Sequence, residues 1–200
     1  MVLKDFIYVL DPGHGGSDIG APGVGADYEK VLNLKLSNKI KEKLAAKGCT
    51  VKMTRTSDVA LDLSERSKKV NSLAGSGNIC VSVHFNASDD KTATGTETLI
   101  RSTGQLTHER SLATEINTRM ATNLGLTNRG VKVSDLAVFG GYSGYVKNNL
   151  ISCLIEPCFI SNSSDYNKIN TDAKLDSLAT AIVAGLNTFV VKNFGNILPS

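Results

Sequence analysis

Apolar positions recur along this chain with two different periods. Phe6 to Leu10, "FIYVL", is an unbroken apolar run ahead of a Pro-Gly break and reads as a strand buried on both faces. "CTVKMTRT" alternates Cys49, Val51 and Met53, while "NICVSVHFN" concentrates Cys80, Val81, Val83 and Phe85. "TETLIRS", "LAVFG" and "NLISCLIEPCF" carry the same β character. Between these runs the period lengthens. Leu32, Leu36, Ile40 and Leu44 recur every four residues in "EKVLNLKLSNKIKEKLAAKG", which predicts a helix with Gly48 just past its end. A shorter helix is expected over "LSERSKKVNSLAG", capped by Ser64. A long one is expected over "LTHERSLATEINTRMATNLG", striped by Leu112, Ile116, Met120 and Leu124, and a last one over "AKLDSLATAIVAGLNTFVVKNF".

Strands that alternate with helices of this length predict an α/β fold. The expected architecture is a single domain: a mostly parallel twisted sheet of about six strands, helices on both faces and right-handed crossovers, of the phosphorylase/hydrolase-like kind. That domain is expected over residues 1–194, with 195–200 as a tail that could open a linker.

Composition narrows the picture by exclusion. Over 200 residues, 41% are hydrophobic and 20% charged, the balance of an ordinary globular protein. The net charge of +3 comes with no long run of like charges, so nothing signals nucleic acid. The apolar runs are too short to predict a membrane span, and "MVLKDFIYVLD" lacks a secretory apolar segment. Cys153 and Cys158 would lie roughly 16 Å apart in an extended strand, too far to pair. Together with Cys49 and Cys80 they are expected to be buried free thiols, which fits synthesis in a reducing compartment. A monomer is expected.

The chemistry gathers at strand ends. "LDPGHGGSDIGAPGVGADYEK" holds six glycines and two prolines and follows directly on the first strand, so it is a loop. It carries His14 and ends on Glu29 at the start of the first helix. His84 closes the third strand-like run, and Glu156 closes "NLISCLIE". In a parallel sheet all four share the carboxyl edge, where open α/β sheets bind ligands. Two imidazoles and a carboxylate suit a divalent zinc ion with an open position, and the spare carboxylate suits a general base. Singly, each residue has a plainer explanation: His14 a turn residue, His84 a satisfied core histidine, Glu29 an anion at a positive helix end. Glu156 is harder to explain so, because a carboxylate ending an apolar strand is costly without a partner.

The order and spacing of "IYVLDPGHGGSDIGAPG", "YEKVLNLKLSNKIKEKL", "VKMTRTSD", "SERSKKVNS", "CVSVHFNAS", "GTETLI", "NRGVKV" and "LIEPCFISNSSD" resemble the zinc-dependent N-acetylmuramoyl-L-alanine amidases of type 3. The resemblance runs from about Phe6 to Phe194. It implies hydrolysis of the amide between N-acetylmuramic acid and L-alanine in bacterial peptidoglycan, with one zinc on His14, Glu29 and His84, and Glu156 as general base and then acid. It implies action on the cell wall. Without an export signal in view, a phage-type lysin is favoured over an autolysin or a sporulation enzyme. Other readings stay open: a different zinc peptidase acting on wall peptides, or a module that binds peptidoglycan without cutting it. Cys158 has no assigned role, and His108 is expected at the surface or in helix packing.

Overall fold

The computed structural model describes residues 1–25, 27–74, 78–102, 106–134 and 150–195. In chain order the described elements are β1 (Ile7–Pro12), α1 (Glu29–Ala45), β2 (Thr50–Met53), α2 (Leu63–Leu73), β3 (Ile79–Val83), β4 (Thr96–Ile100), α3 (Leu106–Leu124), β5 (Asn128–Val133), β6 (Ile151–Glu156), a single turn α4 (Ser163–Tyr166) and α5 (Asp172–Phe194). The described strands form one sheet in the order β2-β1-β3-β6-β4-β5. The first four run parallel. β4 pairs antiparallel with β6, and β5 lies parallel to β4, so the last two strands run opposite to the rest. The sheet is therefore mostly parallel, as the sequence predicts, with a reversed pair at one side.

The strand patterns follow from what covers each face. Tyr8 and Leu10 of β1, Ile79, Val81 and Val83 of β3, and Ile151, Cys153 and Ile155 of β6 join the larger core, under α1, α3 and α5. The alternate residues Val9, Cys80 and Leu154 pack on Val70 and Ala74 at the other face, which α2 covers. Both faces of the central strands are buried, so β1, β3 and β6 read as continuous apolar runs rather than alternating ones. Leu36 of α1 is fully buried, and truncating it to alanine would cost about 2–5 kcal/mol. In α5, Leu178, Ile182, Leu186 and Phe189 form the stripe that meets α1 and α3. Among the described helices, α5 is long and apolar enough to cross a membrane by length and composition, but 50% of that stretch is buried inside the fold. We read it as a core helix.

Two details differ from the sequence pattern. Asp62, not Ser64, caps α2: its carboxylate accepts from Glu65 N at 2.7 Å while Glu65 Oε2 accepts from Asp62 N at 3.0 Å. This reciprocal box satisfies two orphan donors at once. β5 is a strand that the pattern does not announce, because "NRGVKV" offers only two apolar residues at a half-exposed edge. The expected strand "LAVFG" and all but Gly195 of the tail lie outside the described residues. All four cysteines are free and buried, and His108 stacks on Phe194 at 5.1 Å.

Candidate metal centre

β1 ends at Pro12, and the loop that follows must bring His14 and Glu29 together within fifteen residues. Glycine makes this possible at two places. A Cβ on Gly13 would come within 2.1 Å of the His84 ring, and one on Gly20 within 2.7 Å of both Glu29 Oε2 and His14. Between these glycines, His14 itself sits at φ 59°, the one non-glycine residue with positive φ among those described. Such a conformation costs on the order of 1–3 kcal/mol and persists only when its surroundings enforce it.

Two buried arginines supply that enforcement. Arg66 Nη1 donates to Asp11 Oδ1 and to Pro12 O, both at 2.7 Å, and its Nη2 reaches His14 O at 3.1 Å. Arg55 Nε donates to Pro12 O at 3.0 Å, while its Nη2 donates to Gly13 O at 2.8 Å and Lys30 O at 2.9 Å. Asp11 is fully buried and also accepts from Thr54 Oγ1 at 2.6 Å. The loop backbone from Pro12 to His14 is thus held from beneath at every carbonyl, and the start of α1 is tied to the same clamp.

Glu29 opens α1 and is buried, with both oxygens used. Oε1 meets His84 Nδ1 at 2.9 Å and accepts from Phe85 N at 3.2 Å and Asn33 Nδ2 at 3.3 Å. Oε2 meets His14 Nε2 at 3.1 Å and accepts from Ala21 N at 3.0 Å. The other His14 nitrogen, Nδ1, lies 2.9 Å from Asp18 Oδ2. This second partner fixes which ring nitrogen turns inward. Burial alone would raise the Glu29 pKa, but hydrogen bonds from His14 and His84 and their charges overcome it and hold the carboxyl well below the usual range. Burial pushes His14 the other way, down, yet Glu29 and then Asp18 raise it overall.

His14, Glu29 and His84 each offer a ligand atom, and these atoms lie within 4.8 Å of one another. Two imidazole nitrogens and one carboxylate oxygen at this spacing fit a small divalent cation with nitrogen and oxygen ligands. Glu156, at the end of β6, stands beside the cluster rather than in it. Its carboxyl is pushed up to about 8 by burial, with the Glu97 and Glu29 carboxylates adding and Arg129 opposing. All four residues singled out in the sequence therefore meet at one rim.

Other residues at the rim were not singled out. Asp18, Arg55 and Arg66 sit inside the quoted motifs but carry no signal of their own beyond charge. Glu97 becomes visible only once β4 is known to run backwards beside β6. Cys158 is buried in the larger core, where burial raises its thiol pKa.

The family described as N-acetylmuramoyl-L-alanine amidase matches residues 8–188. The amidase LytC of Bacillus subtilis (strain 168) is 36% identical over 184 residues, which cover 92% of this chain and 35% of LytC. The endolysin of Bacillus phage SPP1 is 33% identical over 183 residues, 88% of this chain and 63% of the endolysin. The chain thus spans about a third of LytC and under two thirds of the endolysin. The crystal structure of an N-acetylmuramoyl-L-alanine amidase from Clostridium difficile 630 superposes with a TM-score of 0.82 at 30% identity, covering 95% of this chain and 98% of that one.

Proposed function

The chain belongs to the N-acetylmuramoyl-L-alanine amidase family, and from that premise we propose that it hydrolyses the amide between N-acetylmuramic acid and L-alanine in the peptidoglycan of the bacterial cell wall. The observation that carries the proposal is the convergence of His14, Glu29 and His84 within 4.8 Å, beside a fourth side chain, Glu156, with a raised pKa.

His14 Nε2, a Glu29 oxygen and a His84 nitrogen would hold one zinc ion, the donor set of a site with three protein ligands. When bound, zinc supplies Lewis acidity to a scissile carbonyl and makes a neighbouring water more acidic. The remaining chemistry falls to the chain's own groups. Glu156 takes a proton from the attacking water and returns it to the L-alanine nitrogen as the C–N bond breaks. A carboxyl whose pKa lies near working pH suits both transfers. Asp18 holds the His14 ring, and Arg55 and Arg66 hold the loop that carries it, so the ligands are set before substrate arrives.

Products decide between this and its rivals. Purified cell walls treated with the zinc-loaded protein should gain L-alanine amino termini, with no new reducing sugar ends. Cleavage inside the stem peptide would instead indicate a different zinc peptidase. Binding to walls without any new termini would indicate a module that only holds peptidoglycan.

A further inference from the structure

Glu97 faces Glu156 directly. The reversed strand β4 brings its amino end to the carboxyl edge of β6, and Glu97 and Glu156 are register partners across that antiparallel pair. Directly opposed residues project from the same face with Cβ atoms about 4.5–5.5 Å apart, and two like charges there repel. Something must therefore relieve the pair.

Glu97 is fixed in place. Its Oε1 accepts from Asn86 Nδ2 at 2.9 Å and its Oε2 from Arg129 Nε at 2.6 Å. Arg129 also donates to Thr94 O at 3.2 Å and lies 5.0 Å over the Phe159 ring. Asn86 and Phe159 are bridged to each other. They stand two residues beyond His84 and three beyond Glu156. Glu97 is thus anchored to the same two strand ends that carry the centre, directly opposite Glu156 in the strand register. The Arg129 ion pair supplies the positive charge that relieves the two opposed carboxyl groups.

We propose that Glu97 is a positioning residue: its side chain, clamped by Asn86 and Arg129 directly opposite Glu156, keeps the Glu156 carboxyl group aimed at the metal centre. The proposal rests on the hydrolase reading above. A purely structural Glu97 would serve only to tie β4 to β5 through Arg129.

The two roles separate by kinetics on soluble muropeptides with the zinc-loaded protein. Glu97→Gln keeps the size of the side chain and should retain full zinc content. Its kcat should fall about 10-fold or more, with KM unchanged within about 2-fold. In a Glu156→Gln background the same change should add less than about 2-fold, because the group it aims is already gone. Arg129→Ala should lower kcat in the same sense but less, and should add nothing to Glu97→Gln; it carries the test alone if Glu97→Gln does not fold. Unchanged kcat in both variants, a loss that follows zinc content, or an equal loss with and without Glu156 overturns the proposal. A parent protein that leaves walls and muropeptides intact contradicts the hydrolase reading itself, and Glu97 falls with it, whereas an active parent with active variants removes Glu97 alone.

Discussion

The two halves of the rim are built on opposite principles. On the parallel side, His14, Glu29 and His84 are immobilised by many partners: buried arginines under the backbone, Asp18 behind one ring, and five nitrogens around the Glu29 carboxylate. On the reversed side, Glu156 and Glu97 are two acids set face to face, and Glu156 is held away from its ordinary protonation range. The first half spends its hydrogen bonds on geometry. The second keeps an unfavourable charge pair in reserve, which is what proton transfer needs. A rigid cradle beside a poised acid divides the labour: one side fixes where the substrate's atoms go, the other moves a proton.

Changes on each side should break this contrast in distinct ways. The largest effect is expected from His84→Ala. Zinc affinity should fall more than about 100-fold, beyond the range that outer partners of a ligand command, and activity should vanish with it, as measured by metal analysis and wall hydrolysis. Glu156→Gln should keep zinc yet lose at least about 100-fold in kcat. Arg66→Ala leaves Asp11 buried without its cation and should cost about 3–5 kcal/mol in chemical denaturation, since one half of a buried pair is removed. Asp18→Ala should weaken zinc binding about 10-fold with little change in fold stability, because only the aim of His14 is loosened.

The smallest and most diagnostic effects concern pH in the metal-free protein. Glu29 is depressed, so its contribution to stability is present above the ordinary carboxylate range and lost as pH falls through its folded value. His14 is raised, so its contribution is present below the ordinary imidazole range and lost as pH rises through its folded value. The pair should therefore support the fold best between about pH 4.5 and 6.5. Glu156 has the opposite sign. Burial, then Glu97 and Glu29, raise it to about 8, so the folded state holds a proton that the unfolded chain releases, and stability falls as pH rises across that interval. Glu156→Gln should then stabilise the metal-free protein at pH 8 by about 1 kcal/mol or more, while abolishing turnover.

How much of this was legible in the sequence follows the same divide. The parallel half announced itself: apolar runs ending in His or Glu place their last residue at one edge whatever the order of the strands. Glu97 was not legible, because "TETLI" reads as a strand in either direction and only pairing with β6 shows that its first residues reach the rim. β5 was missed for want of apolar residues, and the Asp62 cap because Ser64 offered an equally good side chain two residues later. Arg55 and Arg66 carry no local signal beyond their charge. Their burial depends on contacts with a loop some forty to fifty residues away, which no local pattern encodes.

X-ray absorption at the zinc edge, on the parent and on His84→Ala, tests whether these three side chains, His14, Glu29 and His84, hold the ion. The parent should hold one zinc per chain, with two imidazole nitrogens and carboxylate oxygen at about 2.0–2.2 Å, and the variant should lose the bound metal. Sulfur ligation, or a zinc environment that survives the removal of His84 unchanged, would contradict it.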